Sequence, residues 1–307
     1  MSIILIFIDG IGLGDNNPEI NPFAVMNTPT LHDLSGGERW LRDTPRTVTD
    51  RAIFMPTDAE LGMEKGKPAS GSGQAAILTG RNIPQEIGEH YGPKPNKAIR
   101  DILDRDNLFL TLKKAGRAAA LINPHPPRLF EVIQSGRRLP SSIQYAVLAA
   151  GIALFNHDDY YQRRAMSPDW TGHGWVNHLG YHDAPIYEPE DAGKLLAEIG
   201  KQRDFSMFST WLTDEFGHRA RMAEAIEFME VTDRVLTGLL ANWRDEDGLI
   251  VLTSDHGNME AMDERTHTRN KVPTVAIGGG RETFADNFSD LTHITPGILR
   301  VLGVNSG

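Results

Sequence analysis

The 307-residue chain carries a formal net charge of −10, with 40% hydrophobic and 23% charged residues, the balance of a globular protein long enough for one large domain or a domain with a cap. That charge excludes a nucleic-acid partner held by general electrostatics, though not a local basic pocket. The absence of cysteine excludes disulfides and thiolate metal sites.

The first apolar run, Ile3-Ile4-Leu5-Ile6-Phe7-Ile8, is too short for a signal-peptide core or a membrane span. A cytoplasmic protein with no membrane association is therefore expected. The run is continuously apolar, as in a strand covered on both faces. It ends in Asp9-Gly10-Ile11-Gly12, which is either a plain polar turn or a carboxylate held at a strand end where glycines let the backbone turn near a ligand. Asn21-Pro22-Phe23-Ala24 reads as a loop, and Thr28-Pro29 as a helix start. Residues 46–69 look irregular, with a strand candidate at Arg51–Met55.

The stretch from Pro68 to Asn82 passes from Ser70-Gly71-Ser72-Gly73 into Gln74-Ala75-Ala76-Ile77-Leu78. This predicts a helix capped by a hydroxyl residue and closed by Gly80. The start of a helix presents free N–H groups and partial positive charge, which suit a phosphate or an alkoxide. Ser70 or Ser72 is thus a nucleophile candidate, or simply a cap. Asn107–Ala115 has helical spacing, Gly116 ends it, and Ala118–Ile122 reads as the next strand.

From Pro124 the texture changes. Prolines punctuate the segment, an apolar helix is predicted over Ser141–Phe155, and aromatic, His-rich sequence follows. We read 124–187 as an inserted cap and 1–123 with 188–307 as a metal-binding catalytic core. His173, His178 and His182 are candidates to line a cleft, read as solvated or hydrogen-bonded rather than as ligands.

Glu190–Gln202 is an amphipathic helix and Asp204–Leu212 a strand, which ends in Thr213-Asp214-Glu215-Phe216-Gly217-His218. Asp214 and His218 are four apart, on one face of a helical turn. A long helix, Glu224–Trp243, leads to the buried strand Gly248–Leu252 and then to Asp255-His256-Gly257-Asn258. His267 precedes a strand at Thr274–Ile277, and a terminal helix begins near Pro296. The fold class expected is α/β, with a mostly parallel central sheet and helices on both faces; ligands in such folds bind beyond the carboxyl ends of the strands.

The candidates gathered at those ends are Asp9, Ser70, Asp214, His218, Asp255, His256 and His267. Asp oxygens with His nitrogens suit zinc or manganese. Carboxylates crowded together without a metal would repel and raise one another's pKa, so the set implies cations. Two ions about 4 Å apart can hold both oxygens of an in-line phosphoryl displacement, with a serine hydroxyl as nucleophile.

At this point the chain resembles the alkaline phosphatase superfamily, most of all the metalloenzyme domain of cofactor-independent phosphoglycerate mutase and phosphopentomutase. The likeness rests on Asp9-Gly10-Ile11-Gly12 with Asn21, Ala24 and Thr28-Pro29, on Asp255-His256-Gly257-Asn258-Met259-Glu260, and on His267-Thr268-Arg269-Asn270-Lys271-Val272-Pro273. The Ser70-to-Gly80 run resembles the nucleophile helix of sulfatases and nucleotide pyrophosphatases, and favours Ser70 over Ser72. The resemblance implies two divalent ions, manganese or zinc, one held by Asp9, Ser70, Asp255 and His256 and the other by Asp214, His218 and His267. It implies a phosphoserine intermediate and a small phosphorylated substrate. The mutases, however, carry a much larger, arginine-rich insert, and the Glu-Val-Gly-His run after their nucleophile is replaced here by Gly71-Ser72-Gly73-Gln74. A small cap makes it harder to keep water out while phosphate is passed back. Hydrolysis is therefore favoured over intramolecular phosphotransfer; other superfamily chemistry and a catalytically silent metal-binding protein stay open.

Overall fold

The structure, a computed structural model, describes residues 1–305. One seven-stranded sheet runs through it in the order β2-β3-β7-β6-β1-β5-β4. The strands are β1 (Ser2–Ile8), β2 (Thr47–Val48), β3 (Ala52–Thr57), β4 (Ala119–Leu121), β5 (Phe205–Thr210), β6 (Gly248–Thr253) and β7 (Val272–Gly278). The α/β class is as expected, but the sheet is mixed rather than mostly parallel. β4, β5, β1 and β6 run parallel, whereas β6–β7, β7–β3 and β3–β2 are antiparallel pairs. The physical reason lies in the connections. Helices cross over between β4 and β5 and between β5 and β6, but none separates β6 from β7, and a parallel return needs a crossover.

The strand alternation decides which residues face which layer. Ile3, Leu5 and Phe7 of β1 enter one apolar core, while Ile4, Ile6 and Ile8 enter the other. The first core receives the Ser70–Thr79, Leu108–Lys114 and Ile294–Val301 helices; the second receives Pro189–Gly200 and Met222–Ala241. β1, buried from both sides, holds the centre of the parallel block. Ile8 stands opposite Thr210 of β5, and Phe7 opposite Thr253 of β6. The three strands therefore end level, and whatever follows each of them emerges on the same edge.

Between β4 and β5 the chain makes the short helices Pro127–Gln134, Ser142–Ala149, His157–Tyr161 and His173–Asn177. The helix predicted over Ser141–Phe155 stops at Ala149, because Gly151 at φ 63° turns the chain away. Ile143, Ala146 and Val147 of that helix join the main core, and Trp170 stacks on Phe208 with ring centroids 3.9 Å apart. Tyr160, Ala165, Trp175 and Ala184 form a small cluster of their own. His173, His178 and His182 are exposed, with the His173 ring 2.9 Å from the Thr171 hydroxyl.

Pro189–Gly200 and Met222–Ala241 cross closely because glycines meet at the contact. A Cβ on Gly193 would lie 2.0 Å from the Val235 carbonyl oxygen, and one on Gly238 2.1 Å from that of Glu190. Gly193→Ala forces two helix backbones apart, and overpacking of this kind costs about 2 kcal/mol. Thermal unfolding should show a clearly lowered Tm; a variant melting within a degree of the parent protein would refute the close approach.

Candidate metal centre

The level strand ends deliver three carboxylates. Asp9 follows β1 directly, Asp255 lies two residues after β6, and Asp214 sits in the first turn of the Leu212–Arg219 helix just beyond β5. Gly10 makes the crowding feasible. It has φ +73°, and a Cβ there would stand 2.8 Å from the Asp214 Cα. The Thr213 hydroxyl donates to the Asp9 carbonyl and ties the two strand ends together.

Three imidazoles meet these carboxylates. His256 follows Asp255 and is fully buried; its Nε2 lies 3.3 Å from Asp9 Oδ1 and 3.7 Å from Asp255 Oδ2. His218, one helical turn after Asp214, has its Nε2 3.3 Å from Asp214 Oδ2. His267 comes from the return loop ahead of β7, its Nε2 3.7 Å from Asp214 Oδ1. That loop closes through a bridge between Gly257 and Thr268, so the antiparallel course of β7 is what carries His267 back to the parallel strand ends. The His256 and His267 rings stack with centroids 3.7 Å apart.

Ligand atoms of Asp214, His218 and His267 lie within 4.8 Å of one another, and so do those of Asp9, Asp214 and His256. Asp214 thus stands in both groups, where the resemblance assigns it to one. Asp255 adjoins the second group, its Oδ2 3.7 Å from His256 Nε2. Neither of its oxygens, nor Asp9 Oδ1, has a hydrogen-bond partner among the described residues, although all three are buried. Unpaired buried carboxylate oxygens are costly, and here Asp9 Oδ1 and Asp255 Oδ2 both face His256 Nε2. This donor set fits divalent cations.

The charge balance agrees. Burial, then the charges of Asp255 and Asp214, push the Asp9 carboxyl far above its usual range. Burial and then Asp214 lift Asp255 to about 7. Burial also acts to raise Asp214, but hydrogen bonds, first that of His218, outweigh it and hold Asp214 at about 2. His218 is lifted to about 9 by the Asp214 hydrogen bond. Burial brings His256 down to about 3, so it is neutral, the form in which imidazole binds metal. The other ring nitrogens fix orientation. His218 Nδ1 donates to the Arg265 carbonyl at 3.0 Å and His267 Nδ1 to the Pro68 carbonyl at 2.7 Å. Both Nε2 atoms are thereby turned to the carboxylates.

Ser70 is the first residue of the Ser70–Thr79 helix, not a cap. The N-cap is Ala69, which makes no side-chain cap bond, while Gly80 closes the helix in the left-handed region. The Ser70 Oγ lies 3.0 Å from His256 Nε2. Ser72 is spent elsewhere: its Oγ accepts the Tyr91 N–H at 3.0 Å and lies 3.2 Å from the Ala69 carbonyl. All seven residues picked out in the sequence therefore lie at one edge of the sheet.

Sequence reasoning gave no role to the groups that support them. The Asn258 amide donates to Asp214 Oδ1 at 2.7 Å, and the Gln74 amide to Asp9 Oδ2 at 3.3 Å. The buried Glu260 carboxylate accepts from the Gly12 N–H at 3.0 Å, the Asn258 N–H at 2.8 Å, the Asn270 amide at 3.0 Å and the Thr268 hydroxyl. It clamps the loops after β1 and β6 to the one before β7. The signal for Asn258 and Glu260 was their place within a few positions of the Asp255-His256 pair, for Gln74 its place four residues after Ser70, and for Asn270 its place three after His267.

A cavity of about 690 Å³ opens from this cluster; Asp9, Ser70, Gln74 and Asp214 form its floor, and Lys94, Arg128 and Arg138 are in its wall.

Residues 187–306 match the metalloenzyme superfamily. That span holds Asp214, His218, Asp255, His256 and His267, while Asp9 and Ser70 lie before it. The chain is 33% identical over 119 residues to the 2,3-bisphosphoglycerate-independent phosphoglycerate mutase of Thiobacillus denitrificans, covering 36% of this chain and 23% of that one. It spans about a quarter of the length of the curated relatives it matches. In fold it is similar to the PH0037 protein from Pyrococcus horikoshii, at a TM-score of 0.55 and 15% identity, over 100% of this chain and 98% of the other. It is also similar to alkaline phosphatase from the Antarctic bacterium TAB5, at 0.50 and 14%, over 99% of each. The expected resemblance is borne out, in sequence to the metalloenzyme superfamily and to part of the mutases, and in fold to alkaline phosphatase.

A pH dependence follows for the protein stripped of metal. The Asp255 carboxyl and the His218 imidazole are both raised in the fold: the stability from Asp255 is lost as pH rises to about 7, and that from His218 as it rises further, to about 9. His256, lowered to about 3, contributes nothing further above its unfolded value near 6.5. The metal-stripped protein should lose stability between pH 7 and 9, and manganese or zinc should restore it. Thermal unfolding across that range, with and without metal, would expose a flat profile or an indifference to metal as the contrary result.

Proposed function

We propose that the protein is a two-metal phosphoesterase that acts on a small phosphorylated molecule through a phosphoserine at Ser70. One observation carries this reading: a serine hydroxyl at the start of a ten-residue helix faces a buried His–Asp cluster at 3.0 Å and opens onto the cavity. Asp9, Ser70, Asp255 and His256 would hold one divalent ion and Asp214, His218 and His267 the other, with Asp214 between them. When bound, such ions supply positive charge that favours the deprotonated serine and offsets charge on the phosphoryl oxygens.

The rest is done by the chain itself. The helix start places partial positive charge behind the Ser70 Oγ. Ser70 Oγ attacks phosphorus in line, the leaving oxygen departs into the cavity, and the phosphoryl group stays on Ser70. Water then attacks phosphorus, the P–Oγ bond breaks and phosphate leaves. Asn258 and Gln74 hold the Asp214 and Asp9 carboxylates in place throughout. Residues 124–187 serve as the cap over the cavity, and Arg128 and Arg138 on it are exposed to solvent. A cap this open to water favours hydrolysis of the phosphoserine over its return to a retained intermediate.

A second reading, phosphomutase, is favoured by the sequence likeness to a phosphoglycerate mutase over 119 residues. Labelled substrate separates the two: hydrolysis releases free labelled phosphate, whereas a mutase retains the label in an isomerised product. Ser70→Ala should abolish the acid-stable phosphoenzyme and lower turnover by at least about 10³-fold. Ser72→Ala should keep the phosphoenzyme and cost about 1 kcal/mol of stability through the lost Tyr91 bond. A phosphoenzyme that survives Ser70→Ala but not Ser72→Ala would overturn the assignment.

A further inference from the structure

The cavity is larger, and differently lined, than a phosphoryl group requires. Its volume of about 690 Å³ falls in the class that encloses a drug-sized ligand. Two of its walls lack partners within the fold. The first is apolar. The Pro127–Gln134 helix has no buried residue, yet its Leu129 and Val132 face the cavity. Trp211, immediately after β5 and 53% exposed, and Leu179, 48% exposed, line it too. A large aromatic ring left half-solvated beside buried ligands is a surface for a flat apolar group.

The second wall is basic. Lys94, Arg128, Arg137 and Arg138 lie on the cavity, and none of them forms an ion pair among the described residues. Other cations of the same region are neutralised, as Arg164 is by Asp159 at 2.6 Å and Arg163 by Glu198 at 3.7 Å. Among the described residues, the only carboxylates on the cavity are Asp9 and Asp214, both at the metal end. Lys94 is half-buried, and its ammonium is pulled down by burial first and then by Arg138. Four uncompensated cations in a chain of net charge −10 mark a place built for a negative group.

We propose that this cavity is the leaving-group site for a phosphate ester that has a flat apolar body and a second anionic group. The body lies against Trp211, Leu129 and Leu179, and the second anion is held by Lys94, Arg128 and Arg138. The proposal rests on the reading that the Ser70 end takes the phosphoryl group. It departs from a three-carbon substrate, which would leave both walls bare.

The test is calorimetric, with the metal-loaded full chain carrying Ser70→Ala so that no probe is consumed. Adenosine 3′,5′-bisphosphate supplies body and second anion, adenosine 5′-monophosphate the body alone, and ribose 5-phosphate neither. Affinity should fall about tenfold at each step, the scale of one charge-assisted contact or one stacked ring. Arg128→Ala with Arg138→Ala should erase the first step and keep the second; Trp211→Ala should erase the second and keep the first. Arg138→Lys, with Arg128 retained, should keep part of the first step, which a merely structural role for Arg138 would not predict. Equal affinities, no binding of any probe, or steps that survive the substitutions would overturn the proposal. Turnover of 4-nitrophenyl phosphate by the unsubstituted protein reads the Ser70 chemistry separately. Turnover without discrimination among the probes removes this inference alone. Discrimination with no phosphate released and no phosphoenzyme removes the hydrolase reading alone.

Discussion

Three carboxylates that share one buried spot set the terms for the rest of this molecule. Asp9, Asp214 and Asp255 converge where β1, β5 and β6 end level, and burial with mutual repulsion drives the Asp9 and Asp255 carboxyls up. Like charges at this range in a poorly solvated site cannot all remain ionised unaided. The fold offers them few hydrogen bonds: both Asp255 oxygens and Asp9 Oδ1 go without among the described residues. It offers imidazole nitrogens at 3.3 to 3.7 Å instead. Such a cluster is electrostatically incomplete as protein alone and complete with cations.

The division of labour among elements follows from that incompleteness. The parallel strands supply carboxylates, since their ends are level and buried on both faces. The imidazoles arrive by three routes: next to Asp255, one helical turn after Asp214, and on the loop before β7. Two of them are oriented by backbone carbonyls, Arg265 and Pro68. Glu260 makes the arrangement rigid by holding three loops with one carboxylate. Unlike the Asp residues, it is paired with N–H and O–H donors. One buried carboxylate therefore organises loops, and the others are left to bind.

The cavity beyond the cluster shows a complementary asymmetry. Negative charge gathers at its floor and unpaired positive charge in its wall, with apolar surface between. In a chain that is acidic overall, this places the attractive field for an anion next to the groups that would handle its phosphoryl end.

Several of these features were legible in the amino-acid sequence. Continuous apolar runs before Asp9 and before Asp255 marked buried strands, and residue types at their ends marked the cluster, because strand ends in α/β sheets are where side chains can meet. The four-residue spacing of Asp214 and His218 needed only helical geometry. The sheet expected to be mostly parallel is mixed, and the lack of a helix between β6 and β7 held the answer. The helix over Ser141–Phe155 was drawn too long, since apolar spacing does not reveal where Gly151 adopts a positive φ. What only the tertiary structure decided was register and contact. Level strand ends bring Asp9, Asp214 and Asp255 together, Tyr91 commits Ser72 and leaves Ser70 facing His256, and residues as distant as Lys94 and Arg138 share one cavity. Local sequence determines periodicity and residue chemistry; proximity between segments 248 residues apart, as in the Gly12 N–H bond to the Glu260 carboxylate, is settled by packing of the whole chain.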